Sequence, residues 1–151
     1  MDTHADERFM LQAIAEAERG KRVGNLPFGA VVVRAGLIVG RGHSREVTNR
    51  DVTAHAELQA ISEACQRLGR DLEQCTIYAS GEPCNMCASA ILHAKIGRIV
   101  ISSSRADLPH IFRARQIGID DLARDSSYQP DIVRGVLREA SGKLFNDLQP
   151  K

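Results

Sequence analysis

The first regular pattern of apolar and polar positions in the chain is helical. In residues 8–19, Phe9, Ala13 and Ala17 recur at the spacing of one face of an amphipathic helix. Gly20 comes directly after this stripe, and a glycine there is typical of a helix end. The pattern therefore predicts a first helix that ends at Gly20.

A second helical pattern covers residues 53–68. Its apolar stripe contains Leu58, Ile61, Cys65 and Leu68. Thr53 is predicted as the N-cap because its hydroxyl can accept a hydrogen bond from the first turn. Gly69 is predicted to end this helix.

Short β-branched runs predict the strands, and the first two flank a turn typical of a hairpin. The predicted strands are residues 31–33, 37–39, 75–80, 98–103 and 131–137. Further helices are predicted from Pro83 to about residue 94, around 107–117 and over 138–148. Strands that alternate with helices after an initial hairpin favour a three-layer α/β/α sandwich with a mixed five-stranded sheet. At 151 residues, the chain is expected to form one domain over 1–151.

Charge and composition narrow the class of function. The formal net charge is +1, which gives no electrostatic signature of a polynucleotide-binding protein, so nucleic acid is not an expected partner. The local arginines are interpreted as a solvated surface: Arg41, Arg45, Arg50, Arg105, Arg113 and Arg115. The N-terminal segment has no signal-peptide pattern, and no apolar run approaches the ~18 residues of a membrane span. With four cysteines and no secretion signal, we expect reduced thiols and a cytoplasmic protein.

The segment SGEPCNMC, residues 80–87, contains the most specific candidate chemistry. Cys84 and Cys87 follow a proline at the spacing of a redox pair, half of a structural zinc site, or two ligands of a catalytic metal. Both cysteines lie at a predicted helix N-terminus, where the helix dipole favours thiolates. The segment TAHAELQA opens a different helix in the same way and adds His55, a zinc-preferring ligand. This combination favours a metal site over a redox pair.

The number of protein ligands separates a structural zinc site from a catalytic one. A structural site needs a fourth protein ligand, whereas a catalytic site keeps one position for water. Cys65 lies roughly 15 Å from His55 along the same helix. Cys75 begins the strand that leads to the site and lies ~17 Å away. Neither is expected to reach the metal, so a catalytic zinc is predicted.

Glu57 is the predicted proton-transfer residue. It does not share the helical face of His55, so it is a poor fourth ligand, but it can flank the metal at the mouth of the helix. Zinc lowers the pKa of a bound water toward ~7, and a neighbouring carboxylate can take and pass on its proton. The alternative is a first-turn glutamate that only complements the helix dipole.

Together, the HAE segment (55–57) and the PCNMC segment (83–87) resemble the zinc-dependent cytidine and nucleobase deaminase superfamily. The resemblance runs from about Leu26 to Ser103. It implies that His55, Cys84 and Cys87 hold one zinc ion per subunit with a bound water or hydroxide, and that Glu57 shuttles protons. It also implies that backbone N–H groups near Ala56 and the Cys84 turn orient the incoming group, and that the protein forms a homodimer or a higher oligomer.

Three parts of the matching sequence bear on the identity of the substrate. PFGAV (27–31) resembles the free-base branch, guanine deaminases especially, and implies that Phe28 stacks on a flat heterocycle; a core phenylalanine is the alternative. GRGHS (40–44) resembles a segment that ends in a substrate-binding asparagine, where this chain has the shorter Ser44. Asp107 matches an acidic residue that contacts an exocyclic amino group in guanine deaminases, with a helix N-cap as the alternative. The predicted substrate is a small aminated N-heterocycle: guanine, cytosine, a modified base or an aminotriazine.

Three rival interpretations stay open. The segment HAKIGRIV also resembles tRNA adenosine deaminases, although the balanced charge and the C-terminal segment KLFNDLQPK argue against a tRNA substrate. A catalytically silent zinc-bearing domain that binds a partner would have no use for Glu57. A redox protein would bind no zinc at the two cysteines.

Overall fold

The structure is a computed structural model that describes residues 2–148. Residue 1 and residues 149–151 of the predicted 1–151 domain lie outside the described part. In chain order the elements are α1 (Thr3–Arg22), β1 (Gly29–Arg34), β2 (Leu37–His43), α2 (Ala56–Leu68), β3 (Thr76–Gly81), α3 (Asn85–His93), β4 (Arg98–Ser103), α4 (Ile119–Ser126), β5 (Asp131–Arg134), α5 (Arg138–Gly142) and a 3₁₀ helix (Lys143–Phe145).

The five strands form one mixed sheet in the order β2-β1-β3-β4-β5. Strand β1 is antiparallel to both β2 and β3, whereas β3, β4 and β5 are parallel. Alternate residues of β1 point to opposite faces of the sheet and are buried on both, as in a sheet covered by helices on each side. Ala30 and Val32 pack in the cluster that contains α2 and α3, and Val31 and Val33 pack in the cluster that contains α1. The predicted sandwich and its mixed five-stranded sheet are confirmed.

Helix α1 is longer than its sequence pattern predicts. It runs to Arg22, and Gly20 is buried inside it instead of ending it. A Cβ at Gly20 would lie 3.0 Å from the Nδ1 atom of His43, so this glycine allows α1 to approach the end of β2. The predicted end at Gly20 is therefore wrong, because the glycine serves helix–strand packing.

A buried ion pair fixes α1 to the sheet. The Arg98 guanidinium donates to both carboxylate oxygens of Asp6 at 2.6 Å, and the Tyr78 hydroxyl donates to the same carboxylate at 2.9 Å. These bonds hold the pKa of Asp6 below its ordinary value, with the Arg98 hydrogen bonds as the largest cause. The contact joins the first helix to β3 and β4.

Close backbone contact sets the position of α2 against the edge strand β2. A Cβ at Gly40 would lie 2.1 Å from the carbonyl oxygen of Ala60, and a Cβ at Gly42 would lie 2.3 Å from that of Ala56. No side chain fits in either gap. These glycines let the first turn of α2 lie directly on the strand, which fixes where that helix begins.

The C-terminal third departs most from the predicted elements. Residues 107–117 form turns and bends, although Leu108 and Ile111 are buried against Phe145. The helix that follows this segment is α4, and the sequence pattern did not predict it. Strand β5 ends at Arg134 because Gly135 takes a φ of 84°, and the predicted terminal helix divides into α5 and the 3₁₀ helix. Within residues 2–148, no helix has both the length and the apolar character needed to cross a membrane.

Candidate active site

His55 is presented by the loop that leads into α2. It is the N-cap of that helix, with an extended backbone at φ −87° and ψ 153°. Thr53, the predicted N-cap, instead donates its hydroxyl to Asp51 at 2.7 Å. The N-cap prediction is thus wrong by two positions, because the Asp51 turn engages the threonine before the helix begins.

The N-terminus of α3 presents the two cysteines. Cys84 is the N-cap and Cys87 lies in the first turn, so Pro83 precedes the helix and does not occupy the predicted first turn. The two thiols nevertheless point to the same place. The N-termini of α2 and α3 therefore converge, and the positive ends of both helix dipoles face the same point.

The three predicted ligand side chains meet at that point. The Nδ1 atom of His55 lies 3.6 Å from Cys84 Sγ and 3.4 Å from Cys87 Sγ. The three ligand atoms all lie within 4.8 Å of one another, and residues 2–148 contain no other such group of potential metal ligands. Cys65 and Cys75 lie outside the group, and all four cysteines are free thiols.

The protonation of the two thiols is unequal. Hydrogen bonding from Cys87 and His55 lowers the pKa of Cys84 to about 3. The pKa of Cys87 is raised, first by the hydrogen bond to Cys84 and then by burial. The hydrogen bond to Cys84 also raises the pKa of His55. A concentration of negative charge on Cys84 is suited to binding a cation.

Glu57 lies in the first turn of α2 with 7% of its surface exposed. Burial, followed by the charge of the neighbouring Cys84, raises its pKa to about 7, although a backbone hydrogen bond and His55 oppose the shift. A carboxyl group with a pKa near neutrality can accept and release protons with similar ease. The environment of Glu57 is therefore suited to proton transfer.

Glu46 contacts the other nitrogen of the histidine. Its Oε2 atom lies 3.5 Å from Nε2 of His55. A carboxylate in this position fixes the tautomer and the orientation of a metal-binding imidazole. Sequence reasoning missed Glu46, because it lies in a polar loop where no spacing links it to the histidine.

A cavity of about 380 Å³ opens over this cluster. Its volume is within the ~300–1,000 Å³ range of small-molecule sites. The lining residues come from the loops at the ends of β1, β2, β3 and β4: Leu26, Phe28, Ser44, Glu46, His55, Ala56, Glu57, Glu82, Cys84, Arg105, Ile111, Phe112, Arg113 and Arg115. The acidic side chains thus line the same cavity as two of the candidate metal ligands, His55 and Cys84.

Comparison with known proteins identifies the family. The family model described as "Cytidine and deoxycytidylate deaminase zinc-binding region" matches residues 3–103. The chain belongs to this deaminase family. The predicted superfamily is therefore confirmed.

Individual relatives within the family differ in substrate. The tRNA-specific adenosine deaminase of Bacillus subtilis strain 168 is 32% identical over 97% of this chain and 92% of its own length. The guanine deaminase of the same strain is 38% identical over 76% of this chain and 71% of its own. The solved structure of guanine deaminase from Nitrosomonas europaea superposes with a TM-score of 0.83 at 25% identity, covering 93% of this chain and 82% of that one.

The donor set fits the zinc ion that the family binds. One imidazole nitrogen and two thiol sulfurs are ligands that zinc prefers, and three protein ligands leave a fourth position open. His55, Cys84 and Cys87 would hold the ion in this deaminase. The predicted zinc cofactor is consistent with both the family and the geometry.

Phe28 forms a wall of the cavity and also packs against the aromatic rings behind it. Its centroid lies 5.6 Å from that of Phe112 and 5.1 Å from that of Phe145. A Cβ at Gly81 would lie 2.7 Å from the Phe28 ring, so the glycine makes room for this ring. Phe28 therefore lines the cavity and makes the core contact that was the alternative, and its stacking on a flat heterocycle stays a prediction.

Ser44 and Ala56 also line the cavity, and their contact with a substrate stays a prediction. Ser44 is 3% exposed, and its hydroxyl oxygen accepts from the backbone N–H of Glu46 at 3.5 Å. The hydroxyl hydrogen remains available to a molecule in the cavity. Ala56 is fully buried in the first turn of α2, whose initial N–H groups lack partners within the helix.

Asp107 lies outside the residues that line the cavity. Its carboxylate accepts from the backbone N–H of Ser104 at 2.9 Å and lies 3.7 Å from the Arg138 guanidinium. These contacts organise a turn after β4. Contact between Asp107 and a substrate stays a prediction.

Three arginines line the cavity and were interpreted from the sequence as solvated surface. Arg105 is half-buried, and Arg113 and Arg115 reach the cavity from an exposed loop. Arg105 lies over the Phe112 ring, with its guanidinium carbon 4.6 Å from the ring centroid. In the sequence, the two arginines that follow Phe112, Arg113 and Arg115, could have indicated a basic wall of the site. They were not recognised because a helix was predicted over residues 107–117.

Proposed function

We propose that the protein is a hydrolytic deaminase that converts the amino group of an N-heterocycle to a carbonyl and releases ammonia. One observation supports this proposal above all: buried Glu57 lines the same cavity as His55 and Cys84, two members of the candidate metal-ligand group. A zinc ion on these ligands supplies a water of lowered pKa. A catalytically silent domain would gain nothing from a buried carboxyl group whose pKa is shifted toward neutrality.

Glu57 is the proposed catalytic acid–base. It takes a proton from the attacking water and gives it to the ring nitrogen next to the amino-bearing carbon. A C–O bond forms in this first step. Glu57 then takes the second proton from the newly bound hydroxyl group and gives it to the amino nitrogen, so that the C–N bond breaks, a carbonyl forms and ammonia leaves. Each transfer needs a carboxyl group that is neither strongly acidic nor permanently protonated, which agrees with its pKa of about 7.

The cavity walls supply the proposed substrate contacts. Phe28 and Phe112 offer apolar faces for a flat ring, and the Ser44 hydroxyl offers one hydrogen bond. The free base predicted from the sequence is one candidate. A tRNA adenosine is the other, and it is favoured by the tRNA-specific adenosine deaminase that matches 97% of this chain.

The test is ammonia release by the zinc-loaded protein. The substrates are guanine, cytosine, adenine, an aminotriazine, the matching nucleosides and a tRNA anticodon stem. Turnover of any member supports the deaminase, and its identity separates free base from tRNA. A tRNA substrate would also show steep loss of binding with salt. Absence of ammonia from every member, with zinc bound, would contradict the proposal for these substrates.

The homodimer implied by the family resemblance stays a prediction. Light scattering of the purified protein would check it.

A further inference from the structure

The charges that line the cavity divide into two sides. The carboxylates of Glu46 and Glu57 lie at the metal ligands, and the loop after β4 carries Arg105, Arg113 and Arg115, with one further carboxylate, Glu82, next to Arg105. A neutral heterocycle would need no concentration of positive charge at this position. The arginines thus indicate that the ligand carries a negatively charged group, which lies away from the reacting amino group.

These arginines differ from most others in the chain because they have no acidic partner. Elsewhere, Arg98 pairs with Asp6, Arg134 with Asp120 and Arg67 with Glu63. Within residues 2–148, no ion pair within 4.0 Å involves Arg105, Arg113 or Arg115. Five arginines elsewhere in the described chain, away from the cavity, also lack an ion pair, but these three line the cavity that contains His55 and Cys84.

The nearest carboxylate to Arg105 is already engaged. Glu82 accepts from the backbone N–H of Arg105 at 3.2 Å and lies 3.5 Å from the Arg134 guanidinium. The charge of Glu82 is thus balanced by Arg134, which does not line the cavity. The guanidinium of Arg105 therefore has no direct acidic partner within the described residues.

Arg105 is held in place although its charge is not paired. Its guanidinium lies over the Phe112 ring and donates to the Arg113 carbonyl at 3.3 Å, while its buried Nε finds no acceptor within residues 2–148. Burial lowers its pKa and the nearby charge of Arg115 lowers it further, while the charges of Glu82 and Cys84 oppose this shift without cancelling it. An anion in the cavity would relieve both effects and would meet a side chain that is already positioned.

We propose that the substrate is a small amino-heterocycle with an acidic group, a carboxylate or a phosphate monoester, which Arg105 and Arg115 bind. Guanidinium groups recognise such planar or tetrahedral anions through paired, charge-assisted hydrogen bonds. This inference rests on the proposed function, since it specifies the substrate of the same cavity. The acidic group would then determine which substrates the cavity accepts. The amino-bearing ring would lie on the other side, beside the candidate metal ligands.

Anion binding is tested without any turnover. Inorganic phosphate is titrated calorimetrically into the zinc-loaded protein. We expect saturable binding that weakens about 10- to 100-fold in Arg115→Gln and in Arg105→Gln, the range for loss of one hydrogen bond to a charged group. Arg67→Gln is the matched control, because Arg67 pairs with Glu63 on the exposed face of α2. Because Arg115 is exposed, its variant keeps the test valid if Arg105→Gln fails to fold.

Absence of saturable phosphate binding would overturn the proposal. Equal affinity in the native and Arg115→Gln proteins would also overturn it, because phosphate would then bind elsewhere, for instance at the zinc.

Turnover identifies the source of the acidic group. Ammonia release is compared for cytosine, cytosine-5-carboxylate and cytidine 5′-monophosphate, for guanine and guanosine 5′-monophosphate, and for an anticodon-stem RNA. We expect one small acidic compound to exceed its neutral parent about 10- to 100-fold in kcat/KM. The advantage should disappear in Arg115→Gln through KM, with kcat retained.

Preference for the neutral parents, or turnover of the RNA alone, would overturn the proposal while the deaminase function stands. Ammonia from none of the compounds would count against the deaminase function, and the phosphate titration would still decide the anion subsite.

Discussion

The catalytic role proposed for Glu57 depends on surroundings that disfavour the charged form of its carboxyl group. In solution a glutamate is almost fully ionised at neutral pH, whereas burial in the first turn of α2 raises this pKa to about 7. The same residue type at the exposed Glu63, two turns further along the helix, forms an ordinary surface pair with Arg67. The difference lies in the surroundings and not in the residue.

The substitution Glu57→Gln is expected to lower kcat by about 10² to 10⁴, the contribution typical of a positioned acid–base. Glutamine keeps the shape of the side chain but cannot transfer a proton. The measurement is steady-state ammonia release with zinc content determined in parallel, and Glu63→Gln is the control. Undiminished turnover in Glu57→Gln would remove this residue from the mechanism.

Glu46 is expected to act on zinc affinity and not on proton transfer. Removal of its carboxylate by Glu46→Ala should weaken zinc binding about 10- to 100-fold, because the imidazole of His55 loses the group that orients it. Competition with a chromophoric chelator measures this affinity, with Glu63→Ala alongside. If the two variants bind zinc equally well, the contact of Glu46 with His55 does not orient the ligand.

At the scale of elements, the site depends on how two helices are placed against the sheet. The N-termini of α2 and α3 bring the ligands together, and Gly40 and Gly42 let α2 lie directly on β2. Helix α1 covers the opposite face and is joined to β3 and β4 through the pair of Asp6 and Arg98. The ligands themselves are short side chains, so small shifts of these elements would separate them.

The pair of Asp6 and Arg98 should make stability depend on acidity. The folded pKa of Asp6 lies below its unfolded value of 3.8, so its contribution is present above pH ~4 and is lost as the pH falls through the folded pKa. Asp6→Asn leaves the Arg98 charge buried and should cost about 3–5 kcal/mol in the free energy of unfolding at pH 7. Urea denaturation of both proteins at pH 7 and at pH 3 measures this, and the gap between them should narrow at pH 3. A gap that is constant with pH would show that the carboxylate charge does not contribute.

For the whole molecule, the metal site links segments that are far apart in the chain. His55 precedes α2, whereas Cys84 and Cys87 belong to α3, with β3 between them. A ligand that binds only the folded arrangement stabilises it by mass action. Zinc is therefore expected to contribute to global stability as well as to chemistry.

Removal of zinc by a chelator should lower the melting temperature, and added zinc should restore it. At a free zinc concentration of 100 times Kd, the stabilisation is about 2.7 kcal/mol. Cys84→Ser should abolish the response, whereas Cys65→Ser should keep it because Cys65 lies outside the ligand group. Calorimetry with and without chelator gives the result, and a response that survives in Cys84→Ser would place the metal elsewhere.

The sequence alone was enough to predict the sandwich, the zinc ligands and the position of Glu57. Their signals are local: apolar runs mark strands, and the ligands come in two short motifs at helix starts. The sequence failed over residues 107–117, where Leu108 and Ile111 bury against Phe145 without forming a helix. Burial there depends on a partner more than thirty residues away, which a local pattern does not contain.

The sequence by itself thus determined the chemistry, because residue types and helix starts fix which atoms can bind a metal and which can transfer a proton. The tertiary structure decided what surrounds that chemistry. Glu46 reaches His55, and Arg105, Arg113 and Arg115 line the cavity, only because separate loops meet above the sheet. The physical reason is that ligand chemistry belongs to individual side chains, whereas the shape and charge of a cavity arise from chain segments that only folding brings together.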